Sequence, residues 1–291
     1  MRSALECIPC LLKQTLFTAR LATSDESCQA KIMARVAQLL ADMDLEQTPP
    51  ENSMAVYETI SALSGCPDPY VKLKEESNQL AARFSEEART SLAQSAAPLE
   101  TALHLAIAGN IIDYGSKQDF DAQAELQRAL ARPLAMDDSL ELAQAFDQAR
   151  TVLYLTDNAG EIVFDKLVIE ALTALGPGKK IVAAVKSGPI INDALAADAR
   201  AVGLDQICTV VTNGTSCPGT PLSRCSAEFQ EIFAKADLII SKGQGNFETL
   251  SETPGPIFFL LTIKCPIVAA HIDQISGRKA SLGDMVLFQR P

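Results

Sequence analysis

TVLYLTDNAGEIVFD, residues 151–165, carries two periodicities and the break between them. Thr151 to Leu155 is a β-branched and apolar run of strand length. Thr156 to Ala159 is polar and small, and from Gly160 the residues take helical character through to 175. A strand that turns at once into a helix is the repeating unit of a parallel sheet. The same alternation continues downstream. Strand-like runs stand at 181–185, 208–211, 237–240, 257–261 and 267–270, and helical stretches at 190–202 and 223–236 separate several of them. This predicts a mostly parallel sheet covered by helices on both faces.

Upstream the pattern is helical throughout. Residues 11–22 form one helical run, and 27–43 bury Ile32, Val36, Leu39 and Leu40 at a helical period. Residues 71–93 and 99–114 read the same way, and prolines at 49, 50, 67, 69, 98 and 133 punctuate the series. Hardly any segment before 150 looks like a strand. The expectation is therefore an α/β protein in two parts: a helical region over 1–145 and a sheet domain over 146–291.

Composition narrows the function classes. The net charge of −11 argues against nucleic acid or an anionic membrane as a main partner. The first residues, MRSALECIPC, lack the apolar core of a signal peptide, and no run of 18 apolar residues occurs. The eight cysteines then read as reduced thiols of a cytoplasmic protein. Two histidines, His104 and His271, cannot supply a zinc site of His ligands, a Ser-His-Asp triad or an HExxH motif.

In a parallel sheet, ligands bind beyond the carboxyl ends of the strands. There the sequence places Asp157 and Asn158 after one strand, and Asn192-Asp193 after the next. It places Lys242 to Glu248 (KGQGNFE) and Lys264-Cys265 after two more. Asp157, Asn158 and Asp193 offer oxygen ligands for one divalent cation such as Mg, Mn, Co or Ni. Lys242, Lys264 and the helix starts at Glu161 and near Asn246 would make an anion site beside it. Each loop also has a plainer reading: Asp-Asn and Asn-Asp pairs often only cap helices. Cys7 and Cys10, three apart before a helical run, read either as buried structural thiols or as a metal or redox pair. Gly109-Asn110 reads either as a helix end or, with Asp113, as a polar wall of the site.

Six short motifs in order carry a resemblance: CxxC (Cys7–Cys10), AGNIID (108–113), TDNAGE (156–161), GPIINDA (188–194), GNFE (245–248) and Lys264-Cys265. Together they resemble the metal-dependent damage-control phosphatases, also described as acidic-residue-methyltransferase-like proteins, and specifically their subfamily I. The resemblance spans nearly the whole chain. It implies a helical N-terminal region, then a three-layer αβα domain, with Asp157, Asn158 and Asp193 as ligands of one cation. It also implies that Glu161, Lys242, Gly243, Gly245 and Asn246 contact substrate and that Lys264 binds phosphate. The substrate would be a small phosphorylated metabolite such as a sugar phosphate, with Asp157 or Glu161 positioning the attacking water. Residue 159 is Ala, so the Asp-x-Asp spacing of haloacid-dehalogenase phosphatases is missing and water is favoured over a phospho-aspartate. The alternatives are an S-adenosylmethionine-dependent carboxyl methyltransferase and a non-enzymatic metal- or redox-sensing module centred on Cys7 and Cys10.

Overall fold

The computed structural model of the chain describes residues 1–109, 127, 128 and 130–290. Asn110, Asp113 and the distal part of the expected 99–114 helix lie outside the described residues. The N-terminal half opens with helices α1 (Cys7–Ala22), α2 (Glu26–Ala41), α3 (Pro49–Ser64), α4 (Val71–Gln94) and α5 (Pro98–Ala108). Local chemistry sets their ends. Thr48 and Glu51 form a reciprocal capping box at the start of α3, Pro49 takes its first position, and Gly65 at φ 69° closes it. Asp25 accepts the Ser27 N–H to start α2.

The second half builds one seven-stranded sheet. Its strands are β1 (Met136–Asp137), β2 (Thr151–Leu155), β3 (Lys180–Val185), β4 (Thr209–Thr212), β5 (Leu238–Lys242), β6 (Ile257–Thr262) and β7 (Met285–Gln289). The helices are α6 (Ser139–Gln148), α7 (Glu161–Leu175), α8 (Ala196–Ala201), α9 (Ala227–Lys235), α10 (Gln244–Leu250) and α11 (Pro266–Ser276). The spatial order is β1-β7-β6-β5-β2-β3-β4, and every pairing is parallel except β6 with β7. The expected α/β class and mostly parallel sheet are thus observed.

Alternate residues of each buried strand serve opposite cores, which makes three layers. Val152 and Tyr154 of β2, and Phe258 and Leu260 of β6, share one core with α5 and α7. Leu153, Leu155, Phe259 and Leu261 share the other with α9 to α11. Helices α1 to α3 bury a third cluster around Val36, Val56 and Ile60. The first core draws Ala81 and Ala88 from α4 and nearly all of α5 onto α7, so it mixes both halves of the chain. Position 145, the expected boundary, falls within α6.

One expected strand is a helix. Residues 267–270 lie in α11, where Pro266 occupies the first position and Val268, Ala269 and Ile272 bury one face. A four-residue apolar run fits either structure, and the preceding proline decides it. The antiparallel strand is β7 instead, set between β1 and β6, a continuous apolar run that sends Met285 and Leu287 to one core and Val286 and Phe288 to the other. The expected helix at 190–202 shortens to α8, because 190–193 makes a tight turn and Asp193 and Leu195 bridge to the loops after β2 and β3. The expected 223–236 helix starts at Ala227, capped by Ser226. Among the described residues, no helix is long and apolar enough to cross a membrane.

Asp138, just after β1, closes the sheet edge. Arg278 donates two bonds to its carboxylate, at 2.6 and 2.8 Å, and Gln289 N–H donates a third at 2.9 Å. Burial alone would raise this carboxyl, but Arg278 and Gln289 together hold it below its ordinary value. A carboxyl depressed on folding stabilises the native state above its ordinary pKa and loses that contribution as the pH falls through the folded one. Asp138→Asn should therefore destabilise the protein by about 1 kcal/mol at pH 7, given the partial exposure of the pair. Urea unfolding should show that deficit constant down to about pH 5 and shrinking below about pH 4.

Candidate active site

The strand order reverses beside β2. From there β3 and β4 run to one side, and β5 and β6 to the other. A crevice opens at the carboxyl edge of a sheet where neighbouring connections diverge in this way. The loops that meet there follow β2, β3 and β5, and main-chain bonds lock the first two together. Ala194 N–H donates to Asp157 O at 2.8 Å, and Ala159 N–H to Asn192 O at 2.9 Å. This antiparallel bridge sets Asn158 opposite Asp193.

Four carboxylates and two lysines then form a buried charge network. The Asn158 amide donates to Asp157 Oδ2 at 2.9 Å and to Glu161 Oε1 at 2.8 Å. The Lys242 ammonium lies between Glu161 Oε2 at 3.2 Å and Asp165 Oδ1 at 2.9 Å, and Tyr154 OH donates to the same Asp165 oxygen at 2.7 Å. Lys186 Nζ sits 3.5 Å from Asp193 Oδ2 and donates to Gly219 O. Both Asp193 oxygens are nevertheless buried without a hydrogen-bond partner. Burial pushes the Asp193 carboxyl up to about 6 against the pull of Lys186. Asp157 is pushed well above its ordinary value by burial and then by Glu161 and Asp193, with Lys264 and Lys242 opposing.

Glycine makes the close approaches possible at two points. A Cβ on Gly243, at φ 83°, would fall 2.1 Å from the Asp157 carboxyl carbon, so only glycine lets the β5 loop pass beneath it. A Cβ on Gly219 would likewise strike Gly245 O, which brings the 213–220 loop against α10.

The structure brings Asp157, Asn158, Glu161, Asp193, Lys242 and Gly243 together, and it redistributes several expected duties. The Asn246 side chain is occupied by protein: it donates to Thr156 O and Lys242 O and accepts from Thr220. It ties the β2 and β5 loops to each other. Gly245 serves the Gly219 approach. At the start of α7, the N–H groups of Gly160, Ile162 and Val163 already donate to Asn78, Asn158 O and Gly160 O. Lys264 is exposed, within electrostatic reach of Asp157, and its N–H donates to Gln244.

The N-terminal cysteines lie elsewhere on this edge. Cys7 is buried, and Cys10 is exposed with its sulphur accepting from Gln14. Removal from water raises both thiols first, and Glu248 and Cys265 raise them further. The CxxC, GNFE and Lys-Cys motifs therefore meet in one place, with the thiols held away from their reactive form. Sequence reasoning missed Asp165, Tyr154, Lys186 and Asn78. Asp165 was open to discovery one turn after Glu161 on the same helix face, and Lys186 directly follows β3. Asn78 comes from α4 and carried no signal.

Among the described residues, no three of His, Cys, Asp and Glu gather into a metal-binding group. A cation here would draw on the two carboxylates of Asp157 and Asp193 and on the Asn158 amide. The unpartnered Asp193 oxygens fit that need, and the all-oxygen set suits a hard ion. The amide now offers its NH₂ to the carboxylates, and a half-turn about its last torsion would offer its oxygen instead.

An acidic crevice at the switch point of a three-layer αβα sheet, backed by buried lysines, defines a class of α/β proteins with a site for charged small molecules. The sequence pattern of the damage-control phosphatase ARMT1-like domain matches residues 3–279, and the chain belongs to that family. It is 36% identical over 280 residues to a damage-control phosphatase of Pyrococcus horikoshii, covering 95% of this chain and 96% of that one. It is 32% identical over 288 residues to a damage-control phosphatase of Archaeoglobus fulgidus, covering 96% of each. A crystal structure of a DUF89 family protein from Pyrococcus horikoshii superposes with a TM-score of 0.91, at 34% identity and across 100% of both chains.

Lys242 holds two buried carboxylates, so Lys242→Met should leave both uncompensated and cost about 3–5 kcal/mol in urea unfolding. Adding Asp165→Asn should restore part of that loss. Additive costs in the double variant would show that the pair does not act as a unit.

Proposed function

We propose that the chain is a metal-dependent phosphatase acting on small phosphomonoesters, with Asp157, Asn158 and Asp193 holding one divalent cation. The observation that carries this reading is the buried Asp193 carboxylate without a hydrogen-bond partner, bridged to the Asp157-Asn158 loop. Family membership and the named relatives support the phosphatase part. A cation at these oxygens would supply Lewis acidity toward the phosphoryl group and lower the pKa of a nearby water.

The chain's own groups do the rest. Asp157, which is half-buried, or Glu161 would position the attacking water and receive its proton. A P–O bond to water forms, the ester P–O bond breaks, and the proton reaches the departing alkoxide. Lys264 stands at the open side of the cluster and would neutralise the outer phosphoryl oxygens. Lys242 acts as a positioning residue: by holding Glu161 from behind it fixes Asn158 and, through it, Asp157. Gathering of the CxxC, GNFE and Lys-Cys motifs beside Glu248 supports the subfamily I reading.

Turnover of a panel of phosphomonoesters should require added Mn²⁺, Co²⁺, Ni²⁺ or Mg²⁺ and vanish in EDTA. Asp193→Ala should abolish it, and calorimetric titration should show that this variant no longer binds the cation. Full activity in EDTA, or unchanged cation binding by Asp193→Ala, would reject the site. Lys264→Ala should lower kcat/KM by roughly 10²-fold, about 2.7 kcal/mol, if its contact strengthens in the transition state. Equal kinetics with and without this side chain would remove it from the mechanism.

A further inference from the structure

We propose that a cavity between α3, the 66–70 turn and the loop carrying Asp193 is the subsite for the organic part of the substrate. The structure assigns it to a bulky, uncharged ring. This rests on the phosphatase reading above and names the class of ester that reading leaves open.

The cavity holds about 370 Å³, within the lower range of small-molecule sites. Met54 and Tyr57 from α3, Tyr70 from the turn, and Ile190, Ile191 and Ser216 from the sheet side form its walls. It adjoins the acidic cluster directly. Asp193 N–H donates to Ile190 O at 3.1 Å, so one tight turn carries both the cavity wall and the carboxylate. Burial first, then Tyr70 and Asp193, raise the Tyr57 phenol, so this ring lies within the electrostatic field of Asp193.

Ile191 adds an independent observation. It has φ 36°, and among the described residues no other non-glycine has a positive φ. A β-branched residue is strained there, and such strain persists where surrounding structure enforces it, most often at ligand sites. Here the bond between Asn192 O and Ala159 N and the turn at Asp193 enforce it, presenting Ile191 to the cavity.

The wall chemistry selects the occupant. Among the described residues no lysine or arginine lines the cavity, whereas Glu58 and Asp68 do, and Lys74 is spent on Asp68 at 2.7 Å. A phosphate or carboxylate would meet two acids and no cation in this wall, so the phosphoryl group stays at the Asp157-Asp193 side. Tyr70 OH is bonded to Thr18 at 2.7 Å and Tyr57 OH donates to Gln14 at 2.8 Å. With both hydroxyls engaged, the tyrosines offer an occupant mainly ring surface, which favours a flat or apolar face. The fitting substrate is a single phosphate ester of an uncharged cyclic alcohol or phenol.

The test uses the full chain with a divalent cation and two esters, 1-naphthyl phosphate and glycerol 3-phosphate. Met54→Trp and Ser216→Trp fill the cavity from opposite walls, and thermal melts check that each variant is folded. The kcat/KM ratio of naphthyl to glycerol ester should favour naphthyl in the wild type and fall tenfold or more in both folded variants, through KM. A ratio unchanged in both would overturn the proposal. Binding of 1-naphthol, followed by its fluorescence, supplies a readout without turnover: saturable binding lost in both variants is expected. Failure of every ester with naphthol binding intact in the wild type and lost in the variants would reject the phosphatase reading alone. Glycerol 3-phosphate turnover without any naphthol binding would reject the subsite alone.

Discussion

The Lys242 ammonium, locked between Glu161 and Asp165, is the interaction on which the site depends. All three groups are almost completely removed from water. Burying three such charges is tolerable only because opposite signs lie within 3.2 Å and Tyr154 supplies a further donor. The network joins the end of β5 to the first turn of α7 and to the middle of β2. It thereby sets the rotation of α7 over the sheet. Glu161 is then fixed on Lys242, Asn158 on Glu161, and Asp157 on Asn158. Each position in the crevice is inherited from the one behind it.

The second anchor is the bridge between Asn158 and Asp193. It brings together loops thirty-five residues apart and leaves Asp193 charged, buried and short of hydrogen bonds. Lys186 offsets the charge without satisfying the oxygens. A protein interior rarely retains such an atom without a ligand-related reason. The same turn forces Ile191 into its strained backbone. Unsatisfied acid and strained wall are two signs of one constraint, since the loop after β3 is held where it would not rest alone.

Much of the fold was legible because it depends on local periodicity. Five of the six strand-like runs after 150 are strands, and the long helices 71–94 and 161–175 fall where their apolar spacing puts them. The run at 267–270 misleads because four apolar residues have no period, and β1 is too short to carry one. At the site, residues that directly follow strands were legible, because sheet topology turns sequence position into spatial position. Duties resting on long-range contact were not. Nothing near Asn246 in the chain announces that Thr156, Lys242 and Thr220 consume its amide, and nothing near Asn78 announces that it receives the Gly160 N–H. The six-motif resemblance to damage-control phosphatases agrees with the family found by comparison.

Helices α4 and α5 share one hydrophobic core with α7 and the sheet. Severing the chain near residue 145 would strip α7 of the helices packed on it and uncover Phe164, which meets Gly109 at the end of α5. The helical region is thus no detachable cap, and the core that α4 and α5 complete couples their loss to that of the sheet. Helices α1–α3 bury an apolar cluster of their own, so that coupling does not reach them through a shared core.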